Sequence, residues 1–416
     1  MVILFVLAGL AALAALAGMQ WYAWRRLVRD TTAGPGFARR AGAVVFVAGP
    51  LLMFAAVASE RAGAPFWLQQ VLAWPGFMWM ALSIYLVLAL LVGELVRPFF
   101  LRRRTKPTPT EEPSTDVLST EGHSTEEPPT EDPAPVRAEP ATPSRRLFVS
   151  RIVGGTAAAV AVGTVGHGTY GVLRGPRVKR VTVPLAKLPR GAHGFRIAVV
   201  SDIHLGPILG RGFTQRVVDT INGTQPDLIA VVGDLVDGSV EDLGPAAAPL
   251  AQLRARHGTY FVTGNHEYFS GAEQWVDHVR ELGLRPLENA RTELPGFDLA
   301  GVDDVAGESE GHGPDFAKAL GDRDRSRASV LLAHQPVVIH DAVKHGVDLQ
   351  LSGHTHGGQL WPGNFIADLA NPTLAGLERY GDTQLYVTRG AGAWGPPVRV
   401  GAPSDITVVE LASRQA

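Results

Sequence analysis

The chain has 416 residues, of which 46% are hydrophobic and 19% charged, and its formal charge at neutral pH is -2. This length accommodates two or three domains with a sizeable core. The balanced charge gives no basic excess, so we expect no nucleic-acid partner. The sequence contains no cysteine, which excludes disulfides, cysteine nucleophiles and thiolate metal ligands. A metal ion would therefore be bound by His, Asp, Glu or Asn.

Long uncharged segments occupy the N-terminal quarter of the chain. Residues 2–24, 41–59 and 62–93 contain no charged side chain. Each segment is long enough to cross a hydrocarbon core of ~30 Å at ~1.5 Å per helical residue. These segments predict three transmembrane helices within residues 1–100. A fourth uncharged segment, residues 152–173, is weaker because it contains six glycines and His167.

The basic residues beside these segments predict the orientation of the chain in the membrane. Five arginines lie between the first and second segments, whereas only Arg61 lies between the second and third, and a basic cluster from Arg97 to Lys106 follows the third. By the positive-inside rule, residues 25–40 and the chain after Arg97 are cytoplasmic. A domain beyond residue 173 would then lie outside the cytoplasm. The basic residues Arg174, Arg177, Lys179 and Arg180 oppose this orientation.

Residues 101–144 predict a disordered tether. From residue 105 onward this segment holds nine prolines and nine acidic residues, and it is too polar to bury a core. The Ser-Arg-Arg-Leu-Phe string at residues 144–148 then resembles the start of a twin-arginine export signal. Residues 145–180 are therefore either a signal anchor delivered by the twin-arginine machinery or a fourth transmembrane helix. Both alternatives keep Arg145 and Arg146 in the cytoplasm.

Residues 181–416 predict an α/β layered domain, because short apolar runs alternate with helix-like segments. Five of these runs end in polar clusters, in the position where α/β sheets carry their chemistry. The clusters contain three aspartates, one asparagine and five histidines: Asp202, His204, Asp234, Asp237, Asn265, His266, His334, His354 and His356. The set offers more ligands than one metal ion can use, together with a carboxylate able to bridge two ions. It is typical of a binuclear site for phosphoryl chemistry.

These clusters read D-x-H, G-D-x-x-D, G-N-H-E, a lone His and G-H-T-H in chain order. The pattern resembles that of the calcineurin-like metallophosphoesterase superfamily over roughly residues 193–412. The GHTHGGQLWPG string with an N-terminal anchor is similar to the membrane-associated bacterial branch described as phosphodiesterases. The resemblance implies a four-layer α/β/β/α sandwich, here preceded by transmembrane helices.

The resemblance also implies a role for each site residue. One ion would be bound by Asp202, His204, Asp234 and His356, and the other by Asp234, Asn265, His334 and His354. The two ions would be divalent Mn, Fe or Zn, and they would activate a water molecule as the nucleophile. His266 would protonate the leaving group, and Asp237 would orient His266.

We therefore expect a multi-pass cell-membrane protein whose metallophosphoesterase domain lies outside the cytoplasm. Its substrate would be a phosphoester, a diester rather than a monoester, and linked to an envelope lipid or polymer. A transporter or sensor with an accessory, non-catalytic metal-binding domain is the alternative. The lack of charged residues inside the first three membrane segments disfavours that alternative, because a transport pathway usually displays them.

Overall fold

A computed structural model describes residues 2–101 and 145–414. The predicted tether lies outside the described residues except for Leu101. The described residues form two compact units, one made of residues 2–44, 86–101 and 145–159 and the other of residues 45–85 and 160–414.

Four long helices precede the first strand. They are α1 (Val2–Trp24), α2 (Phe37–Arg61), α3 (Phe66–Leu101) and α4 (Arg145–Leu173). On length and composition, three stretches among the described residues can cross a membrane: Phe37–Arg61, Phe66–Pro98 and Arg145–Leu173. Helix α1 covers the first predicted segment. Inside the first unit, Arg26 forms ion pairs with Asp30 and Glu94, each at 2.9 Å, which neutralise charge among these helices.

The second unit contains two six-stranded sheets. The strands of the first sheet follow the order β1 (Arg177–Leu185), β12 (Asp405–Ser413), β2 (Phe195–Val200), β3 (Leu228–Val232), β4 (Thr259–Val262) and β5 (Arg285–Pro286). Those of the second follow the order β10 (Gly376–Tyr380), β11 (Thr383–Val387), β9 (Leu349–Ser352), β8 (Ala328–Leu332), β7 (Phe297–Gly301) and β6 (Ala290–Leu294). Strands β2, β3 and β4 are parallel to one another, as are β7, β8 and β9, so their carboxyl ends lie at a common edge.

Successive side chains of a strand point to opposite faces of its sheet, so they pack into two different layers of the domain. On β2, Ile197 and Val199 enter a core shared by both sheets, whereas Ala198 and Val200 enter a core shared with helices. That outer core contains helices α5 (Arg211–Gly223), α6 (Val240–Ala247) and α8 (Ala272–Glu281). Helices α9 (Phe316–Leu320) and α10 (Ile339–Lys344) cover the second sheet. The predicted α/β/β/α sandwich is confirmed. Two short helices, α7 (Asn265–Ser270) and α11 (Asn364–Ala370), complete the fold.

Strand β1 begins at Arg177, four residues before the domain start expected from the sequence. It pairs in parallel with β12, with Arg177 opposite Asp405 and Arg180 opposite Val408. Three of the four basic residues that follow α4 therefore lie on a strand of the first sheet rather than in a free linker.

Candidate metal centre

The polar residues at the strand ends converge from both sheets. Asp202 and His204 follow β2, and His356 follows β9. The Nε2 atoms of His204 and His356 lie 3.0 Å apart, and Nε2 of His356 lies 3.3 Å from Oδ1 of Asp202. These three side chains are buried and present their donor atoms to one small volume.

A second group of donors lies beside the first. His334 Nε2 is 3.1 Å from Asp234 Oδ2, and His354 Nδ1 is 3.0 Å from Asn265 Oδ1. Asp234, His334 and His354 again place one donor atom each within coordination range of a common point.

Asp234 connects the two groups. Its Oδ2 atom lies 3.1 Å from His334 Nε2 in the second group and 3.7 Å from His204 Nε2 in the first. Its Oδ1 atom accepts a hydrogen bond of 3.0 Å from the His266 backbone N–H. One carboxylate oxygen of Asp234 therefore faces histidines of both groups.

Hydrogen bonds fix which ring nitrogen each histidine offers. His334 Nδ1 donates to the Val232 carbonyl at 2.8 Å, so Nε2 is the nitrogen that can bind a metal once it has lost its proton. Asp237 Oδ1 lies 3.0 Å from His204 Nδ1 and 2.6 Å from His266 Nδ1. Such a carboxylate–histidine pair orients a metal ligand and raises its basicity. Asp237 thus contacts one predicted ligand as well as the predicted general acid.

The backbone at this site is strained. Eight non-glycine residues among the described ones have φ between 46° and 72°, and five of them belong to the predicted ligand set: Asp202, His204, Asp234, His354 and His356. Left-handed backbone at non-glycine residues costs energy and tends to cluster at functional sites. The surrounding loops hold these five residues in a conformation that brings their donors together.

Two glycines permit the loops to approach this closely. A Cβ atom at Gly264 would collide with the Asp234 carboxylate and lie 2.9 Å from the His334 ring. A Cβ atom at Gly353 would collide with Ser201 and lie 2.5 Å from Asp202 Oδ2. A side chain at either position would displace a predicted ligand, which is why the strand-end motifs contain glycine there.

The electrostatics of the site suit a cation. Burial disfavours a charged His204, but Asp237, Asp234 and Asp202 outweigh burial and raise its pKa to about 9. The same balance raises the pKa of His334 well above its usual value. In contrast, burial and neighbouring positive charge lower the pKa of His354 to about 4. The carboxylates thus attract positive charge to the site, and bound divalent cations would replace these protons.

The donor set fits divalent transition metals. It consists of imidazole nitrogens, carboxylate oxygens and one amide oxygen, a combination that suits Mn, Fe and Zn. The site brings together all seven residues predicted as ligands, and it places His266 and Asp237 beside them. Their individual roles stay predictions.

Glu267, the last residue of the G-N-H-E motif, supports the site from below. Its side chain is fully buried, and it accepts hydrogen bonds from the backbone N–H groups of Asp234, Leu235 and Gly264 at 2.9, 2.7 and 2.6 Å. Burial, with the charge of Asp234 adding to it, raises the pKa of Glu267 to about 7. Glu267 therefore joins the loops after β3 and β4, which carry Asp234 and Asn265.

We expect Glu267→Ala to lower the stability of the domain markedly. Three buried N–H groups would lose their acceptor, at about 1–3 kcal/mol each, so the midpoint of thermal unfolding should fall by roughly 6 °C or more. The matched control is Glu310→Ala, since Glu310 is exposed. An unchanged melting curve for Glu267→Ala would contradict this role.

Arg399 was also missed, because it lies 43 residues from the histidine that it supports. Its buried guanidinium donates to the carbonyl oxygens of His356 at 3.0 Å and Gly392 at 2.7 Å, and it lies 3.0 Å from His356 Nδ1. Burial lowers its pKa to about 10, so it remains cationic at neutral pH. Arg399 holds the His356 loop in place.

Helices α2 and α3 contribute to the wall of the site within the second unit. Glu60 at the end of α2 and Phe77 on α3 line a small cavity together with His204, Asp237 and Trp394. Ile208, four residues after His204, packs against the cluster formed by Ala56, Ala73 and Phe77. The sequence carries no signal for this contact, because hydrophobicity does not show what the end of an apolar helix contacts.

The fold and this cluster define a class of protein: a metallophosphoesterase with apolar helices before its domain. Residues 195–358 match the model of the calcineurin-like phosphoesterase family. Over 285 residues the chain is also 30% identical to YkuE, an uncharacterized metallophosphoesterase of Bacillus subtilis, and it covers 98% of that protein. The chain belongs to the calcineurin-like metallophosphoesterase family, as its motifs predicted.

Relatives occur in bacteria and in eukaryotes. The chain is 40% identical over 259 residues to a transmembrane protein with a metallophosphoesterase domain from Danio rerio, with 59% of each chain covered. It is 39% identical over 248 residues to an uncharacterized metallophosphoesterase from Helicobacter pylori, covering 59% of this chain and 66% of the relative. The chain thus matches less than two thirds of the length of these two relatives. A transmembrane relative and three apolar helices both indicate membrane association.

Proposed function

We propose that this protein is a membrane-anchored hydrolase of phosphodiesters that uses two divalent metal ions. The observation that carries the proposal is the position of Asp234, whose Oδ2 atom faces histidines of two adjacent donor groups. A carboxylate in that position can bridge two ions, and family membership supplies the reaction class. Two bound ions would activate a water molecule and neutralise charge on the phosphoryl group.

Seven residues would hold the ions. Asp202, His204 and His356 would bind one, Asn265, His334 and His354 would bind the other, and Asp234 would be shared. The chain offers each ion a mixture of neutral and anionic donors. Because an imidazole binds a metal ion only through a deprotonated nitrogen, binding requires His204 and His334 to give up their protons.

His266 would act on the leaving group. Its Nε2 atom lies 4.0 Å from Asp234 Oδ2, near His204, and its Nδ1 atom is held by Asp237 at 2.6 Å. Because Asp237 accepts from Nδ1, the opposite nitrogen points toward the centre and can pass a proton to the departing oxygen. Asp237 acts as a positioning residue for both His204 and His266.

The surroundings of His266 favour a diester over a monoester. The rings of Phe269 and Trp394 lie 5.4 and 5.5 Å from the His266 ring, and both are more than half exposed. A phosphodiester carries two organic groups that can pack against these aromatic surfaces, whereas a monoester carries only one.

The test compares a diester with a monoester on the purified full chain. With Mn²⁺ bound, bis(p-nitrophenyl) phosphate should be hydrolysed faster than p-nitrophenyl phosphate, and the Asp234→Asn variant should hydrolyse neither. Lack of hydrolysis of both compounds would contradict the proposed function. A preference for the monoester would contradict the diester assignment alone.

We further propose that the phosphoesterase domain lies outside the cytoplasm. Glu60 near the end of α2 lines the cavity beside Asp237, and the end of α4 leads into β1, so both helices end at the domain. If α2 crosses the membrane, its arginine-rich start lies on the opposite face, which the positive-inside rule places in the cytoplasm. Arg145 and Arg146 are either an export signal or a topology anchor. These two roles predict different locations of the domain when both arginines are replaced.

Protease added to intact spheroplasts should degrade the domain in the wild type. If the twin-arginine machinery exports the domain, Arg145→Lys/Arg146→Lys should leave it inside and protected. The matched control is Arg211→Lys, since Arg211 lies on α5 of the domain itself. Protection of the wild-type domain would contradict the proposed orientation, and unchanged delivery of the double variant would exclude the twin-arginine route.

A further inference from the structure

Five large apolar side chains are exposed around α11 and the neighbouring loop. Leu369, Ile366 and Phe365 are 90%, 74% and 61% exposed, and Trp361 and Trp394 are about half exposed. We call these five residues the apolar rim. Residues 365, 366 and 369 lie within about 100° of one another around the helix axis, whereas Asp368 points away from that arc. A contiguous exposed apolar surface of this kind marks an interaction site.

The apolar rim borders the metal centre. Helix α11 begins only eight residues after His356. Gln359 joins the two loops of the rim, because its side chain donates to the Trp394 carbonyl at 2.9 Å and accepts from the Trp394 N–H at 3.1 Å. The Trp394 ring in turn packs against His266.

The apolar rim also adjoins a helix that can span the membrane. The Tyr85 hydroxyl on α3 donates to the Trp361 carbonyl at 3.0 Å. Eight residues earlier on the same helix, Phe77 lies against the loop that carries Gly395, next to Trp394. Both loops of the rim therefore contact α3, within the 33-residue stretch Phe66–Pro98 that is apolar enough to cross a bilayer.

These contacts indicate that lipid covers the apolar rim. A surface that contacts such a helix lies against the bilayer that the helix crosses. Tryptophan, phenylalanine and leucine are the side chains with which interfacial helices enter that layer. In water the same apolar side chains would stay exposed, which is less favourable in free energy than burial in lipid.

We propose that the apolar rim inserts into the surface of the membrane that holds α3, and that the substrate is an amphiphilic phosphoester drawn from that surface. The apolar part of the substrate stays in the lipid, while its phosphate reaches the metal centre beside Trp394. The substrate half of this inference rests on the proposed phosphodiesterase function. The insertion half rests only on the exposed residues and their contacts with α3.

Spin labels test the insertion. The natural chain has no cysteine, so Leu369→Cys and Val343→Cys each provide a single attachment point on the full chain. Val343 is also exposed but lies on α10, over the second sheet. In proteoliposomes, a label at position 369 should be more accessible to oxygen than to a water-soluble nickel complex, and a label at 343 should show the reverse. The insertion would be overturned if the labels at 369 and 343 were equally accessible to the nickel complex. It would also be overturned if a second copy of the chain shielded the label at 369.

Hydrolysis tests the substrate. Phosphatidyl-p-nitrophenol in phosphatidylcholine vesicles is an amphiphilic diester with the same leaving group as bis(p-nitrophenyl) phosphate. Hydrolysis consumes one water, breaks the phosphorus–oxygen bond to nitrophenol, and leaves phosphatidate and nitrophenol. In Ile366→Ser/Leu369→Ser, hydrolysis of the vesicle substrate should fall about tenfold or more, because each buried side chain of this size changes partitioning by roughly that factor. Hydrolysis of the soluble diester should stay within about twofold of the wild type.

The Val343→Ser variant is the control and should behave as the wild type with both compounds. Equal effects of the double variant on the vesicle and soluble diesters would overturn the amphiphile assignment. A wild-type chain that hydrolyses neither compound would contradict the proposed function and the substrate half together, while the label accessibilities would still decide the insertion.

Discussion

Asp234→Asn should abolish phosphodiester hydrolysis and remove more metal than the loss of any other ligand. Its Oδ2 atom faces His204 in one donor group and His334 in the other, so both ions would lose an anionic ligand. Asparagine has nearly the same shape and can still accept the hydrogen bond from the His266 N–H, so the loops should remain in place. Metal analysis of the purified variant should find well under two ions per chain.

The matched comparison is His356→Ala, which changes only one donor group. That variant should keep the ion bound by Asn265, His334 and His354, and therefore should retain more metal than Asp234→Asn. Full metal occupancy with near-normal turnover in Asp234→Asn would contradict a shared carboxylate.

His266→Ala should retain both ions and lose roughly 10²–10⁴-fold in turnover, the usual contribution of general acid–base catalysis. His266 lies beside the donor groups, and its ring nitrogen Nδ1 is already bonded to Asp237 at 2.6 Å. The loss should be smaller for a nitrophenyl ester than for an alkyl ester, because nitrophenolate departs without needing a proton. Turnover with both esters, measured at saturating metal, checks this expectation.

Asp237→Asn provides a contrast, because Asp237 also orients His204 at 3.0 Å. That variant should lose both turnover and metal affinity, whereas His266→Ala should lose turnover alone. If His266→Ala affects good and poor leaving groups equally, His266 only positions the substrate.

The strand-end clusters could be predicted from the sequence because each depends only on residues that are neighbours in the chain. A short apolar run followed by Asp-x-His or Gly-Asn-His-Glu marks a buried strand and the loop beyond it. Parallel strands then bring such loops to one edge of a sheet. The residues from Asp202 to His356 could therefore be assembled into one site, and the two-sheet architecture followed from the family resemblance.

Several supporting residues could not be found in this way. Glu267 acts through three backbone N–H groups of other loops, and Arg399 supports His356 across 43 residues, so neither contact leaves a periodic or spacing signal. The left-handed backbone of Asp202 and His204 was equally hidden, because tertiary contacts impose it against the local preference of these residues. Glu60 was hidden for a different reason: hydrophobicity identifies a membrane helix but not what its end contacts.

The most direct measurement of the central claim is a metal titration of the full chain after complete chelation. Hydrolysis of bis(p-nitrophenyl) phosphate is followed while Mn²⁺ is added in fractions of an equivalent. A shared Asp234 carboxylate predicts that activity rises until two ions are bound per chain and then stays constant. Full activity with one bound ion, or activity that persists after chelation, would contradict the two-ion site.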